Sequence, residues 1–134
     1  MHLKVVCIGL YEVYAVANGP NDCPLLEFLC GLGANLRKDR DRMLALLSSV
    51  AEWGPSKNTE ISHQIRGKIY EFIQGRLRIL WFYDEGKTII CTGGFVKDTR
   101  KTPRAELDAA EDLMRRYGEA KKAGRLTIIK EEGA

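Results

Sequence analysis

Two arginines, Arg76 and Arg78, stand two positions apart in a segment of apolar and aromatic residues. Side chains two apart on a β-strand point to the same face and lie about 7 Å apart. A guanidinium group binds phosphate oxygens through two parallel hydrogen bonds, so this pair is suited to grip neighbouring phosphates. The alternative is a cross-strand ion pair between Arg78 and Glu71, which would stabilise an exposed pair of strands by at most about 1 kcal/mol.

A second basic group, Lys97, Arg100 and Lys101, stands just before a predicted helix. Backbone N–H groups at a helix N-terminus attract anions, so these residues together predict an anion site. A solvated loop is the alternative, because most charge runs are solvated. Strict alternation along the strand would put Lys97 on the side opposite Arg78. The two converge only if Gly93-Gly94 bulges or the strand ends before Lys97.

Basic residues are concentrated in one part of the chain. The 134 residues include 21 Lys and Arg and 18 Asp and Glu, a net charge of +3. Residues 66–104 contain nine basic and four acidic side chains, a net +5, which leaves −2 for the rest of the chain. With 45% hydrophobic and 29% charged residues, the composition is that of a folded globular protein, and the length predicts a single domain over 1–134.

Membrane and metal-binding classes are not expected from this sequence. No apolar run approaches the roughly 18–20 residues that cross a bilayer, and the first residues lack a signal-peptide pattern, so we expect a cytoplasmic protein. The four cysteines form no Cys-x-x-Cys pair, and only His2 and His63 could complete a metal site. We therefore expect no metal and no cofactor, with the thiols buried as small apolar groups.

The elements that would position these residues follow from a change in hydrophobic period along the chain. Apolar residues recur at helical spacing in the N-terminal half and alternate at strand spacing after residue 67. The predicted fold class is therefore α+β, in the order β-α-α-β-β-β-α. The predicted elements are a strand region over 3–17, a short helix capped by Asp22, a helix over Asn35–Trp53, strands over Lys68–Ile73, Arg76–Tyr83 and Lys87–Phe95, a helix capped by Thr102, and a short tail or edge strand after about residue 124.

Turn residues set the predicted pairing of the central strands. A two-residue turn at Gln74-Gly75 would pair Phe72 with Leu77 and Glu71 with Arg78. On this register the aromatic side chains face the helices, and the two arginines share the opposite face with Glu71.

Three blocks of sequence resemble one known family in their order and spacing. The blocks are Gly67–Phe72, Arg76–Phe82 and Gly94–Pro103. They are similar to the "Tyr-Glu-Leu-Arg" strand, the "Tyr-Arg-Ile" strand and the "Phe-x-Lys-Lys-x-x-Lys-Thr-Pro" segment of the phage-type HigB branch of the RelE/ParE toxin superfamily. Pro24–Leu29 resembles the first helix of that branch, and the resemblance covers roughly residues 10–120.

The resemblance implies a fold, a partner and a reaction. The fold would be RelE-like, with an antiparallel sheet packed against two N-terminal helices and a C-terminal helix beside a basic cleft. The partner would be a helix-turn-helix antitoxin of a type II toxin–antitoxin system. The reaction would be metal-independent cleavage of mRNA in the ribosomal A site, in which the ribose 2′-hydroxyl attacks the adjacent phosphate.

Roles for individual residues are implied by position in the matched blocks. Arg78 matches the family's phosphate-binding arginine and Lys97 matches a basic residue at the end of the fourth strand, and both are catalytic candidates. No histidine falls in the matched blocks, so the base would be Glu71 or Tyr70, of which Tyr70 points to the core face in the predicted register. The supporting candidates for RNA contact are Lys68, Arg76, Arg100 and Lys101.

The chain departs from the family pattern at two positions, which keeps other functions open. Ile73 stands where an arginine is frequent, and Asp98 stands where a second lysine is usual. A ParE-like toxin that inhibits gyrase without cutting RNA has the same fold. A degenerate, non-catalytic module that binds RNA or protein is the third hypothesis.

Overall fold

The computed structural model describes residues 1–98 and 100–130 and contains, within them, seven strands, three α-helices and one 3-10 turn. The strands are β1 (His2–Ile8), β2 (Glu12–Ala17), β3 (Ser62–Arg66), β4 (Ile69–Gln74), β5 (Leu77–Asp84), β6 (Thr88–Val96) and β7 (Thr127–Ile129). The helices are α1 (Pro24–Cys30), α2 (Arg37–Trp53) and α3 (Arg104–Lys122), and the 3-10 turn is Ala34–Leu36. The predicted α+β class is confirmed.

All seven strands form one sheet in the order β3-β4-β5-β6-β2-β1-β7. Neighbours from β3 to β6 are antiparallel, as are β1 and β2. The prediction of an antiparallel sheet is wrong at two joins, because β2 pairs with β6 in parallel and β1 pairs with β7 in parallel. The parallel pairing of β2 with β6 follows from a long connection. Helices α1 and α2 carry the chain from β2 to β3 at the far edge of the sheet, and the strands from β3 to β6 then lead back to β2. Parallel neighbours need such a long connection.

The sheet is covered on both faces. On one face the side chains of Phe72, Ile79 and Trp81 pack with α1 and α2. On the other, Leu80 and Phe82 pack with α3 through Ala110 and Tyr117. Strand β5 is therefore apolar on both sides, since neither face meets water over most of its length. The predicted assignment of the aromatic face to the N-terminal helices is confirmed.

The predicted order of elements is wrong in detail. The N-terminal strand region is two paired strands, and β3 occupies residues 62–66, for which no strand was predicted. Strand β3 is polar because it forms the edge of the sheet, and polar or charged edge strands resist pairing with other chains. The predicted edge strand after residue 124 is β7.

The register between β4 and β5 differs from the prediction by two residues. Phe72 faces Ile79 rather than Leu77, so each side chain keeps its predicted face while its partner changes. The turn consists of Gly75 and Arg76, and Gly75 takes a positive φ of 57°, which glycine adopts without strain. Arg76 consequently lies in the turn instead of on the strand face beside Arg78.

Candidate functional site

A cleft of 340 Å³ lies between β3, β4, the segment after β6 and the first turn of α3. Its size is at the lower end of the roughly 300–1,000 Å³ that is usual for small-ligand sites. The lining residues are His63, Ile65, Glu71, Lys97, Arg100, Lys101, Thr102 and Leu107. The cleft thus joins three basic residues to one carboxylate.

Glu71 lies at the floor of this cleft and is only 1% exposed. The hydroxyl of Thr102 donates a hydrogen bond of 2.7 Å to its Oε2. Its Oε1 lies 3.3 Å from His63 Nε2 and 3.8 Å from Arg78 Nε, but it has no well-oriented hydrogen bond in the described part of the chain. A buried carboxylate oxygen in this state is costly, so it is ready to accept a hydrogen bond from a bound molecule.

Arg78 lies behind Glu71 and is not among the residues that line the cleft. Its side chain is 13% exposed, and Nη1 donates to the carbonyl oxygens of Gly75 at 2.7 Å and Leu77 at 2.9 Å. Burial lowers the pKa of the guanidinium, and the carboxylate of Glu71 opposes that shift. Arg78 and Glu71 therefore form the close pair expected from the sequence, in a largely buried setting and with a register two residues from the predicted one.

His63 is the site residue that sequence reasoning missed. It is paired with Glu71 across β3 and β4, and its side chain is 35% exposed. Its Nδ1 lies 3.2 Å from the carbonyl oxygen of Thr59. A carbonyl only accepts hydrogen bonds, so this contact places a proton on Nδ1 and turns Nε2 toward Glu71. The available signal was the Gly67-Lys68 turn, which pairs the preceding residues with β4.

The basic residues after β6 reach the same cleft as Glu71. Strand β6 ends at Val96, so Lys97 is no longer bound by strand alternation. A register shift opposite Leu80 and Trp81 places one extra residue, Thr92, in β6. Of the two conditions under which Lys97 was expected to converge with the arginine face, the strand end before Lys97 is met, whereas Gly93 and Gly94 pair regularly and the bulge lies at Thr92. Lys97, Arg100 and Lys101 all line the cleft.

Thr102 has a different task from the one predicted. Helix α3 begins at Arg104 with Pro103 as its N-cap, and no side chain caps it. The hydroxyl of Thr102 instead binds Glu71, where it fixes one carboxylate oxygen. The residue expected to start the helix thus orients the cleft carboxylate.

Comparison with known proteins identifies the family. Residues 33–115 match the family described as "Phage derived protein Gp49-like (DUF891)". The chain belongs to this Gp49-like family. It is a family of RelE/HigB-like toxins from toxin–antitoxin systems, which implies an antitoxin partner. The comparison with curated proteins yields no significant match.

The matched segment of this Gp49-like protein contains the whole cleft. It runs from the 3-10 turn before α2 into the middle of α3 and includes every lining residue from His63 to Leu107. The strands β1 and β2, helix α1 and β7 lie outside the match. They complete the sheet and cover it, and they contribute nothing to the cleft lining.

Two predicted RNA contacts of the Gp49-like protein lie outside the cleft. Lys68 is exposed in the turn between β3 and β4. Arg76 is exposed in the turn between β4 and β5, where it forms an ion pair with Asp98. Both can extend a basic surface beside the cleft, but neither lines it.

Other parts of the Gp49-like protein offer less chemistry. Among residues 1–98 and 100–130, no three His, Cys, Asp or Glu side chains are grouped to hold a metal ion. Cys23 and Cys91 are buried free thiols, and burial raises the pKa of both, which disfavours a reactive thiolate. In the described ranges no helix is both long and apolar enough to span a membrane.

Proposed function

We propose that this Gp49-like protein is a ribosome-dependent mRNA endonuclease, the toxin of a type II pair with a helix-turn-helix antitoxin, acting in the cytoplasm. The observation that carries the proposal is the cleft itself. It places the buried carboxylate of Glu71, one oxygen of which accepts no hydrogen bond from the described residues, beside Lys97, Arg100 and Lys101. The cations attract a polyanion, and the carboxylate can accept a hydrogen bond from a hydroxyl group.

The proposed reaction uses the RNA's own 2′-hydroxyl as nucleophile. Its oxygen attacks the adjacent phosphorus, the P–O5′ bond breaks, and the products carry a 2′,3′-cyclic phosphate and a 5′-hydroxyl. The reaction needs a base for the 2′-hydroxyl proton, an acid for the leaving oxygen, and positive charge near the phosphorane. Each requirement is met by a residue type found at the cleft.

Glu71 is the proposed base. Glu71 lines the cleft, and its buried Oε1 lacks a hydrogen-bond partner among the described residues, so a ribose hydroxyl that reaches the cleft floor would donate to it. His63, 3.3 Å away, is placed to take up the proton from Glu71. The carboxylate and the imidazole form one relay on the same side of the substrate.

Lys97 is the proposed acid or charge stabiliser on the other side. In-line displacement requires the attacking and leaving oxygens to lie on opposite sides of phosphorus. Glu71 and His63 are neighbours on the side of the attacking oxygen, so neither can also protonate the leaving oxygen on the opposite side of phosphorus. Lys97 belongs to a different wall, the segment after β6, and it lines the same cleft. Arg78 does not line the cleft, so it would act on the phosphorane through its charge alone, from its position beside Glu71.

One observation favours a second candidate function, a non-catalytic RNA-binding module. Glu71 is buried and Arg78 is largely buried, and Arg78 Nη1 donates to two backbone carbonyls in place of a ligand. An arginine held in this way can serve the fold alone. The two candidates differ in whether RNA is cut.

The test is induced expression in a bacterium with mapping of mRNA 5′ ends. The proteins compared are the wild type, Arg78→Ala, Glu71→Gln, and Asp112→Asn as a control that removes an exposed carboxylate of α3. We expect growth arrest with new 5′-hydroxyl ends inside translated codons for wild type and control, and loss of both in the two site variants. Growth arrest with DNA breaks and no new ends would favour gyrase inhibition. Unaffected growth would favour the binding module.

A further inference from the structure

The ion pair between Arg76 and Asp98 joins two exposed residues beside the cleft. Arg76 is in the turn between β4 and β5, and Asp98 follows the end of β6 by two residues. The guanidinium Nη2 donates to Asp98 Oδ1. The side chains are 54% and 66% exposed, so both remain accessible to a dissolved ligand.

The fold does not depend on this ion pair. The backbone holds the two segments together, because Lys97 N–H donates to the carbonyl oxygen of Arg76 at 2.8 Å and Leu77 pairs with Val96. Exposed ion pairs stabilise proteins by about 0–1 kcal/mol. The carboxylate of Asp98 therefore affects the charge of this surface far more than it affects folding.

Asp98 lies among the cations of the cleft. Lys97 precedes it, and Arg100 and Lys101 follow it within three positions; all three line the cleft. An RNA strand that leaves the cleft toward the turn between β4 and β5 would meet Arg76 with a carboxylate already bound to it. A carboxylate and a phosphate present similar oxygen pairs to a guanidinium, so they compete for it.

We propose that Asp98 is an internal counter-ion that occupies Arg76 in the free protein and is displaced by an RNA phosphate. Asp98 thus lowers the affinity for RNA. It also lowers the salt dependence of RNA binding by the equivalent of one phosphate contact. This inference rests on the proposed function, since it requires RNA to be the ligand of the cleft. It assigns a binding role to Arg76 although Arg76 does not line the cleft.

The experiment measures binding by fluorescence anisotropy across a potassium chloride series. The probe is a fluorescein-labelled oligonucleotide of a translated codon sequence in which every sugar is 2′-deoxy, so that it cannot be cut. The proteins are the wild type, Asp98→Asn, Arg76→Gln and the double variant. Asp108→Asn is the matched control, because it makes the same charge change and breaks an exposed pair with Arg66, which keeps its second partner Glu111.

For Asp98→Asn we expect binding about 5-fold tighter at low salt and a salt slope steeper by about 0.7, the value for one single-strand phosphate contact. In the Arg76→Gln background the same substitution should change the affinity no more than Asp108→Asn does. Equal gains in Asp98→Asn and Asp108→Asn would overturn the proposal, as would a gain that persists without Arg76.

The outcome also separates this proposal from the proposed function. Equal affinity of the wild type and Asp98→Asn would overturn the counter-ion role of Asp98 and would leave the proposed endonuclease function unchanged. Failure of every protein to bind at low salt overturns the counter-ion role, which requires binding by the free protein, and the mapping of mRNA ends tests the endonuclease independently. Thermal unfolding of each variant confirms that a change in affinity does not come from a change in folding.

Discussion

Glu71 and His63 face each other across β4 and β3, with Glu71 Oε1 3.3 Å from His63 Nε2. Because the other imidazole nitrogen is engaged by the Thr59 carbonyl, the ring is held with Nε2 toward the carboxylate. Two residues on neighbouring strands therefore act as one unit at the floor of the cleft. This relationship yields a prediction for catalysis that concerns His63 alone.

We expect His63→Gln to slow cleavage by about 100-fold, the lower end of the roughly 10²–10⁴ that proton transfer between positioned groups contributes in rate. Since the two residues act together, adding His63→Gln to Glu71→Gln should cost little more than Glu71→Gln alone. The measurement is single-turnover cleavage of mRNA on programmed ribosomes.

The control is His2→Gln, the same change at the other histidine, which lies in β1 on the far side of the sheet order. Cleavage at the wild-type rate by His63→Gln would remove the histidine from the relay.

Thr102→Val tests how the buried carboxylate is held. The substitution keeps the shape of the side chain and removes the hydroxyl that donates to Glu71 Oε2 at 2.7 Å. Leaving a buried acceptor without its partner costs about 1–3 kcal/mol, so we expect the free energy of unfolding to fall by that amount. Urea denaturation followed by tryptophan fluorescence measures it. Thr102→Ser retains the hydroxyl and should stay within about 1 kcal/mol of wild type, and an equal loss in both variants would contradict this account.

The sequence groups the basic residues of the cleft. Lys97, Arg100 and Lys101 were expected to form one anion site before the last helix, and all three line the cleft that also contains Glu71. Convergence of Lys97 with the arginine face was expected only with a bulge at Gly93-Gly94 or a strand end before Lys97; the strand ends at Val96, and the bulge lies at Thr92.

The partners of Glu71, His63 and Thr102, could not be predicted from the sequence for a physical reason. The strand that supplies His63 is a short polar edge, and a polar edge strand has the composition of a loop. The burial of Glu71 depends on Thr102, 31 positions away, and on the register of two turns. A shift of two residues at the turn with Gly75 moved Arg76 off the strand face, and no local pattern distinguishes those registers.

Gly94→Ala tests the packing of α1 on β6. A Cβ at this position would lie 2.8 Å from the ring of Phe28 and 3.0 Å from Leu25, closer than real contacts allow. Overpacking of this kind costs about 1–3 kcal/mol, and we expect that loss in the free energy of unfolding. The neighbouring Gly93→Ala is the control, because a Cβ there would meet no atom within 4 Å in the described chain. Equal stability of the two variants in urea would show that α1 is not packed on Gly94.

The ionisation of Tyr14 makes the free energy of unfolding depend on pH in alkaline solution. The residue is buried on β2, and burial together with the hydrogen bond and charge of Glu12, whose Oε1 lies 2.5 Å away, raises the pKa of Tyr14 to about 12. The unfolded chain ionises near pH 10, so the unfolded state loses its proton first as pH rises. The stability that Tyr14 contributes is complete below about pH 10 and declines between about pH 10 and 12, by an amount on the order of 2 kcal/mol.

Tyr14→Phe isolates this contribution, because phenylalanine fills the same space and cannot ionise. We expect the difference in free energy of unfolding between wild type and Tyr14→Phe to be constant from about pH 8 to 9.5 and to shift in favour of the variant above about pH 10. Urea denaturation of both proteins at matched ionic strength gives that difference at each pH, and other titrating groups cancel in the comparison. A difference that stays constant up to about pH 11.5 would mean that Tyr14 ionises as easily in the folded protein as in the unfolded chain.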